Sequence, residues 1–227
     1  MNAMPHLARK FLSASDQQAI REAVHKAEAT TSGEIVPMVA SASYHYPMAD
    51  VLGAAALSLP MAIVLTPVIG GLFWIGSQNM WVFIGLFAAL FAVCHEVVKR
   101  TTWLKRLFIS GKEMEEEVHE AAQISFFSRE LYRTRDQTGV LIFISLLERR
   151  VHVLADKGIS DRIAQQEWED TVGIIIEGIK RKSQAAAICE AIEKVGRLLS
   201  EHFPVKPDDK DELENLIIAD NDPVEDR

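Results

Sequence analysis

VLGAAALSLPMAIVLTPVIGGLFWIG (Val51–Gly76) and MWVFIGLFAALFAVCHEVV (Met80–Val98) dominate the first half of this chain. Neither run holds a Lys, Arg, Asp or Glu before Glu96, and only Ser77, Gln78 and Asn79 separate them. A helix needs about 20 consecutive apolar residues to cross the hydrocarbon of a bilayer, and each run reaches that length. The pair predicts a tight hairpin of two transmembrane helices. The competing reading is a hairpin buried in a soluble domain. It would require one domain to enclose two charge-free stretches side by side, whereas helices at a domain surface keep a polar face.

The flanks set an expected orientation. Lys99, Arg100, Lys105 and Arg106 follow the second run, with Trp103 among them; the Ser-Gln-Asn link has no cation, and the nearest Lys or Arg before the first run is Lys26. Positive charge is retained on the cytoplasmic side, so both chain ends are expected there, with an inner (cytoplasmic) membrane crossed twice. Lys99, Arg100, Trp103, Lys105 and Arg106 form the expected membrane-interface set, in contact with the lipid bilayer, and the cations suit anionic headgroups. Trp74 and Trp81 suit interfacial depth too. Pro60 and Pro67 are expected to kink the first span, as membrane helices tolerate. His95 and Glu96 end the second span, either snorkelling to the interface or meeting another membrane helix. Met1–Lys10 lacks the apolar core of a signal peptide.

The net charge of −8 over 227 residues is concentrated at one end. Residues 206–227 hold nine acidic and three basic side chains, a net of −6, which leaves −2 for the rest. No basic stripe for nucleic acid exists beyond the juxtamembrane cluster, so no nucleic-acid partner is expected. Cys94 lies in the second span and Cys189 on a predicted helix, a separation that argues against a disulfide.

Four segments follow: residues 1–47 and 107–205 as two parts of one domain, 48–106 as hairpin and juxtamembrane segment, and 206–227 as an acidic tail. Ser13 or Ser15 can cap a helix to about Ala29, with Ile20, Val24 and Ala27 as its apolar stripe. Gly33 ends it, and Glu34–Ala40 reads as a strand in which Pro37 implies an edge position or a bulge. A helix is expected from about Lys112 to Arg133. GVLIFISLL from Gly139 reads as a central strand covered on both faces; Glu148-Arg149-Arg150 turns the chain, and Val151–Ala155 returns. Two amphipathic helices follow, one through Trp168, Val172, Ile175, Ile176 and Ile179, the other through Ile188, Ile192, Val195 and Leu199, stopped by Phe203-Pro204. In the tail, Leu213, Leu216 and Ile217 at i, i+3, i+4 fit a short docking helix or a partner-binding segment, set against a disordered, solvating tail. The fold class is α/β: a small sheet layered with helices, interrupted by the two-helix transmembrane hairpin.

TSGEIVPMVA, RTRDQTGVLIFISLLERRVHVLADKGI, the Trp168 helix and LLSEHFP together resemble the TPM domain, a family named for thylakoid lumen phosphatase-like and photosystem-repair proteins. The resemblance covers nearly all of the chain outside the hairpin and tail. It implies a TPM-like fold of a subgroup with a membrane hairpin after the first strand. It also implies weak acid phosphatase activity or calcium binding in some members, and LemA-type or other membrane proteins as partners.

The acidic positions that match the family are Asp136, before Gly139, and Asp156 in Ala155-Asp156-Lys157-Gly158, with Asp161 following. Where the family has a first loop glycine this chain has Ala155, and Ser160-Asp161 replaces a clear Glu. Asp136, Asp156 and Asp161 could converge at strand ends on a hard cation, Ca2+ or Mg2+, or on catalysis; ordinary turn and capping chemistry explains the same residues. Glu116-Glu117-Val118-His119 has the Glu-x-x-His spacing of di-iron bundles, but such sites need a second copy, and a solvated helix face is expected. His152 is expected to be a hydrogen-bonded structural histidine. The expected function is a membrane-anchored, partner-binding TPM-type module in membrane or envelope protein maintenance. The rival is a weak acid phosphatase or divalent-metal enzyme using the three aspartates.

Overall fold

A computed structural model describes residues 7–74, 76, 79–134, 137–205 and 213–219. Along the chain the elements are α1 (Leu7–Phe11), α2 (Ala14–Glu28), β1 (Glu34–Ala40), α3 (Pro47–Leu72), α4 (Met80–Arg100), α5 (Thr102–Arg106), α6 (Gly111–Ser128), β2 (Gly139–Ser145), β3 (Arg150–Ala155), α7 (Lys157–Ser160), α8 (Gln165–Lys180), α9 (Gln184–His202) and β4 (Ile217–Ala219). They fall into two compact units, residues 1–44 with 115–227, and residues 45–114.

The first unit is an α/β layer structure around a mixed sheet of order β3-β2-β1-β4. β1 runs parallel to β2, with Glu34 opposite Gly139, and parallel to β4, with Met38 opposite Ile217; β3 is antiparallel to β2. Helices cover both faces. Ile35, Val39, Val140, Ile142 and Ile144 pack with side chains of α2, α8 and α9, such as Ile20, Ile175 and Ile192. Val36, Met38, Leu141 and Phe143 pack with Val118, Ala121 and Phe126 of α6. Two covered faces explain why β1 and β2 are buried at every position, and why β2 reads as an unbroken apolar run.

α2 begins with a reciprocal cap: Ser13 Oγ accepts from the Asp16 N–H at 3.2 Å, and the Asp16 carboxylate accepts from the Ser13 N–H at 3.0 Å. Its stripe of Ile20, Val24 and Ala27 is buried. α9 comes so close to α2 that a Cβ on Gly196 would lie 2.7 Å from Ala27 Cβ. Gly178 of α8 meets Ala187 of α9 more tightly still, at 2.0 Å. Both contacts need glycine because each helix backbone approaches its neighbour directly.

Three expectations are corrected here. Pro37 does not mark an edge or a bulge: β1 is flanked by β2 and β4. The N–H groups of Ile35 and Ser41 point to the β4 side, reaching Glu28 Oε1 at 2.8 Å and Ala219 O at 3.0 Å. Strand alternation puts the Pro37 nitrogen on that side too, one residue before the pairing with β4 starts at Met38. The ladder therefore loses no bond there. The helix expected to run to Arg133 stops at Ser128, because Glu130 takes a left-handed φ of 55° before a short 3-10 turn over Leu131–Arg133. The tail segment docks on its own domain, but as strand β4 paired with β1 and not as a helix.

The second unit holds α3 and α4, both long and apolar enough to cross a membrane. α3 remains helical through Pro60 and Pro67. Asn79 caps α4, its side-chain oxygen accepting from the Trp81 and Val82 N–H groups at 3.0 and 3.3 Å. Along α3 the residues Ala54, Ser58, Ala62, Thr66 and Gly70, each four apart, are buried. A seam of small residues lets helix backbones approach closely in lipid. The larger side chains Leu59, Ile63, Val64, Val68 and Leu72 are exposed.

Candidate functional site

The acidic loop expected to carry chemistry belongs to the end of the sheet where β1 and β2 begin and β3 finishes. There the Glu34 N–H donates to Thr138 O at 3.1 Å, the Thr138 hydroxyl donates to Ser32 O at 2.8 Å, and the Thr138 N–H donates to Thr134 Oγ1 at 2.9 Å. Gly139 starts β2 so close to Leu131 that a Cβ would sit 2.4 Å from its carbonyl oxygen. Asp156 leaves β3 with its N–H on Gly139 O at 2.9 Å. A Cβ on Gly158 would lie 3.2 Å from Gln137 O, so the start of α7 abuts Gln137.

Asp156 caps α7: its Oδ1 accepts from the Lys157 N–H at 2.6 Å, while Oδ2 is buried with no hydrogen-bond partner among the described residues. Asp161 is exposed at the opposite end of the four-residue α7. Asp136 lies outside the described residues. Calcium takes six to eight oxygen ligands and magnesium an octahedral set. Among the described residues no group of three or more His, Cys, Asp or Glu side chains is placed to hold a metal ion. Asp156 and Asp161 alone do not make such a cage, and Asp156 has a capping duty that accounts for one of its oxygens.

At the opposite end of the sheet lies a carboxylate that sequence reading assigned only to a turn. Glu148 is 1% exposed. Its Oε1 accepts from the Ser43 N–H at 3.0 Å, its Oε2 accepts a short bond from the Ser145 hydroxyl, and the Ser43 hydroxyl donates to Ser145 Oγ at 2.9 Å. Ser41 joins the same region by accepting from the Ala8 N–H at 3.0 Å. A buried carboxylate is tolerable only when hydrogen-bonded in this way. The network latches the segment that leaves β1 onto the β2–β3 turn, where Arg149 takes a φ of 55°. The one available signal was a Glu closing the run GVLIFISLL, whose one polar side chain is Ser145.

Where α6 lies against β3, His119 Nδ1 is 3.1 Å from His152 Nε2. Burial, and the neighbouring His119, hold the His152 imidazole below the ordinary histidine range. The expectation of a hydrogen-bonded His152 is met, and the partner is the same His119 that drew attention in the Glu-x-x-His stretch.

The juxtamembrane residues differ in what they offer. Arg100 is exposed and pairs with Glu96 at 2.6 Å, one turn back. Trp103 is 64% exposed, Lys99 and Arg106 are half-buried. Lys105 departs from the expected lipid-facing role: it is buried, its ammonium 3.1 Å from Asp50 Oδ2 and bonded also to the His45 carbonyl. Its charge is consumed inside the unit.

No family model matches this chain, and no curated protein matches it. The fold is similar to the NMR structure of the BA42 protein from the psychrophilic bacterium Bizionia argentinensis. The TM-score is 0.56 and the identity 23%, over 92% of this chain and 95% of that one.

Proposed function

We propose that this chain is a membrane-anchored TPM-type domain. Its α/β unit binds a protein partner at the surface of the bacterial cytoplasmic membrane, in the upkeep of membrane or envelope proteins. The observation that carries the reading is the hairpin. Only 28% of the apolar window of α3 and 11% of that of α4 is buried, whereas the core helix of a soluble protein hides most of its surface. Lipid is the medium in which so much exposed apolar surface is stable. Lys99 and Arg100 close the second helix and Arg106 follows it, which favours both chain ends in the cytoplasm. The TPM reading is supported by the resemblance of the quoted segments, which fall on β1, β2, β3, α8 and the end of α9, and LemA-type membrane proteins are the partner class it implies.

The test is topology, read from paired cytoplasmic and periplasmic reporters on the C-terminus. Cytoplasmic signal alone is expected, with the protein retained in membranes after alkaline extraction. Release by alkali would remove the anchor, and periplasmic signal would reverse the orientation.

The hydrolytic reading keeps one supporting observation, the orphan Asp156 Oδ2. It is separated by phosphate-monoester turnover of the full-length protein against an Asp136→Ala, Asp156→Ala, Asp161→Ala control. Equal rates are expected, and a wild-type rate clearly above the control would end the pure binding reading.

A further inference from the structure

The contact between α6 and β3 holds a pair of imidazoles that the reading above leaves unused. His119 Nδ1 and His152 Nε2 are 3.1 Å apart, with the rings nearly perpendicular at 89°. The other nitrogen of His119 is 3.1 Å from Gln123 Nε2. One helical turn before His119, Glu115 Oε2 lies 3.5 Å from Arg150 Nη1, two residues before His152 on the same strand. We propose that His119 and His152 form a site for a divalent transition-metal ion of the zinc type, bridging α6 and β3.

Spacing is the first argument. Two imidazole nitrogens on a tetrahedral zinc, each about 2.0–2.1 Å from the metal, are about 3.3 Å apart. The nitrogens already stand at 3.1 Å. Turning their lone pairs from each other towards a common point needs ring pivots rather than backbone movement, and His119 is exposed enough to make them.

Orientation is the second, and Gln123 has a defined part in it. A ligating histidine is oriented when its remote N–H is held by an acceptor. The Gln123 amide, turned end for end, offers its oxygen to His119 Nε2–H in the same space.

Charge is the third. Glu113, Glu115, Glu116, Glu117 and Glu120 crowd the same stretch of α6 and raise the local concentration of cations. Because no third His, Cys, Asp or Glu among the described residues is grouped with the pair, water completes the coordination, with Glu115 the carboxylate placed one turn away to exchange Arg150 for the ion. Such a site is labile and clamps α6 to the edge strand β3.

Full-length protein in detergent, stripped of metal, is titrated with Zn2+ by calorimetry and followed by thermal unfolding. One Zn2+ per chain and a raised Tm are expected, since an ion held only by the folded state must stabilise it. His119→Ala changes an exposed side chain, and His152→Asn keeps a polar group at the half-buried position; each is expected to weaken binding at least tenfold, and Glu115→Gln by less. Co2+ gives a second readout, visible bands of a nitrogen-ligated ion in the wild type that vanish in His119→Ala. Absence of saturable Zn2+ binding overturns the proposal. So does affinity that survives in both histidine variants, which would place the ion elsewhere.

Discussion

Lys105 shows how one residue changes meaning between sequence and structure. In sequence it is one of four cations after an apolar span, and its neighbours justify counting it towards the interface. In the folded unit its side chain is 5% exposed, and that of its partner Asp50 is 11% exposed. Asp50 lies in the first turn of α3, where the positive end of the helix dipole favours an anion, so the carboxylate joins Lys105 to the start of the first apolar helix. The Asp50 Oδ1 atom is buried without a partner among the described residues, which makes the pair sensitive to any loss. Removing one member of a buried pair typically costs about 3–5 kcal/mol, because the other charge is left unpaired, whereas replacing both by apolar groups can be nearly neutral. Asp50→Ala and Lys105→Met are each expected to destabilise the hairpin unit by an amount in that range. The double variant Asp50→Leu, Lys105→Met is expected to recover most of the loss. Thermal or denaturant unfolding in detergent, run as a double-mutant cycle, checks this; purely additive losses would show that the pair is not coupled. Glu148 teaches the same lesson at the other end of β2. A single charged letter after an apolar strand looks like a turn, and only the fold brings Ser43, 105 residues away, to its carboxylate.

At the scale of elements, what was legible is what local chemistry decides. The cap at Ser13, the stripe of Ile20, Val24 and Ala27, the start of β2 at Gly139 and the stop of α9 before Phe203-Pro204 all follow from the chain nearby, and all are present. The misreadings lie where a distant partner decides. Leu216, Ile217, Ile218 and Ala219 are too few to tell a period of 3.6 from a period of 2; the free side of β1 makes them a strand. Pro37 was judged by the rule that excludes proline from central strands, yet β4 is only three residues long and its pairing begins after the proline. The small-residue seam of α3 is hard to see in the sequence because Ala, Ser and Thr serve the purpose of glycine at four-residue spacing. Of the three candidate aspartates, Asp136 lies outside the described residues. Asp156 sits at the expected strand end, but as the cap of α7, while Asp161 is separated from it by that helix.

For the molecule as a whole, the question is why a folded α/β unit tolerates 70 residues of another unit, 45–114, in its middle. The insertion lies in the connection from β1 to β2. Those strands are parallel neighbours, and parallel neighbours require a crossover of a dozen or more residues, usually a helix. α6 supplies that helix and buries Val118, Ala121, Ala122 and Phe126 on the sheet. The crossover is therefore complete without the apolar helices, and extra length in such a connection adds only slowly to the entropy of closure. Both core clusters of the α/β unit are built from residues of that unit alone. Replacing residues 45–114 by a flexible Gly/Ser linker is accordingly expected to yield a protein that is soluble without detergent. It should unfold in one cooperative transition and keep the strand and helix content of the α/β unit by circular dichroism. Loss of the sharp transition, or aggregation at micromolar concentration, would mean that the α/β unit depends on the hairpin for its fold. Cooperative folding of the excised form would instead make the hairpin an anchor that a βαβ crossover can carry without disturbing the sheet.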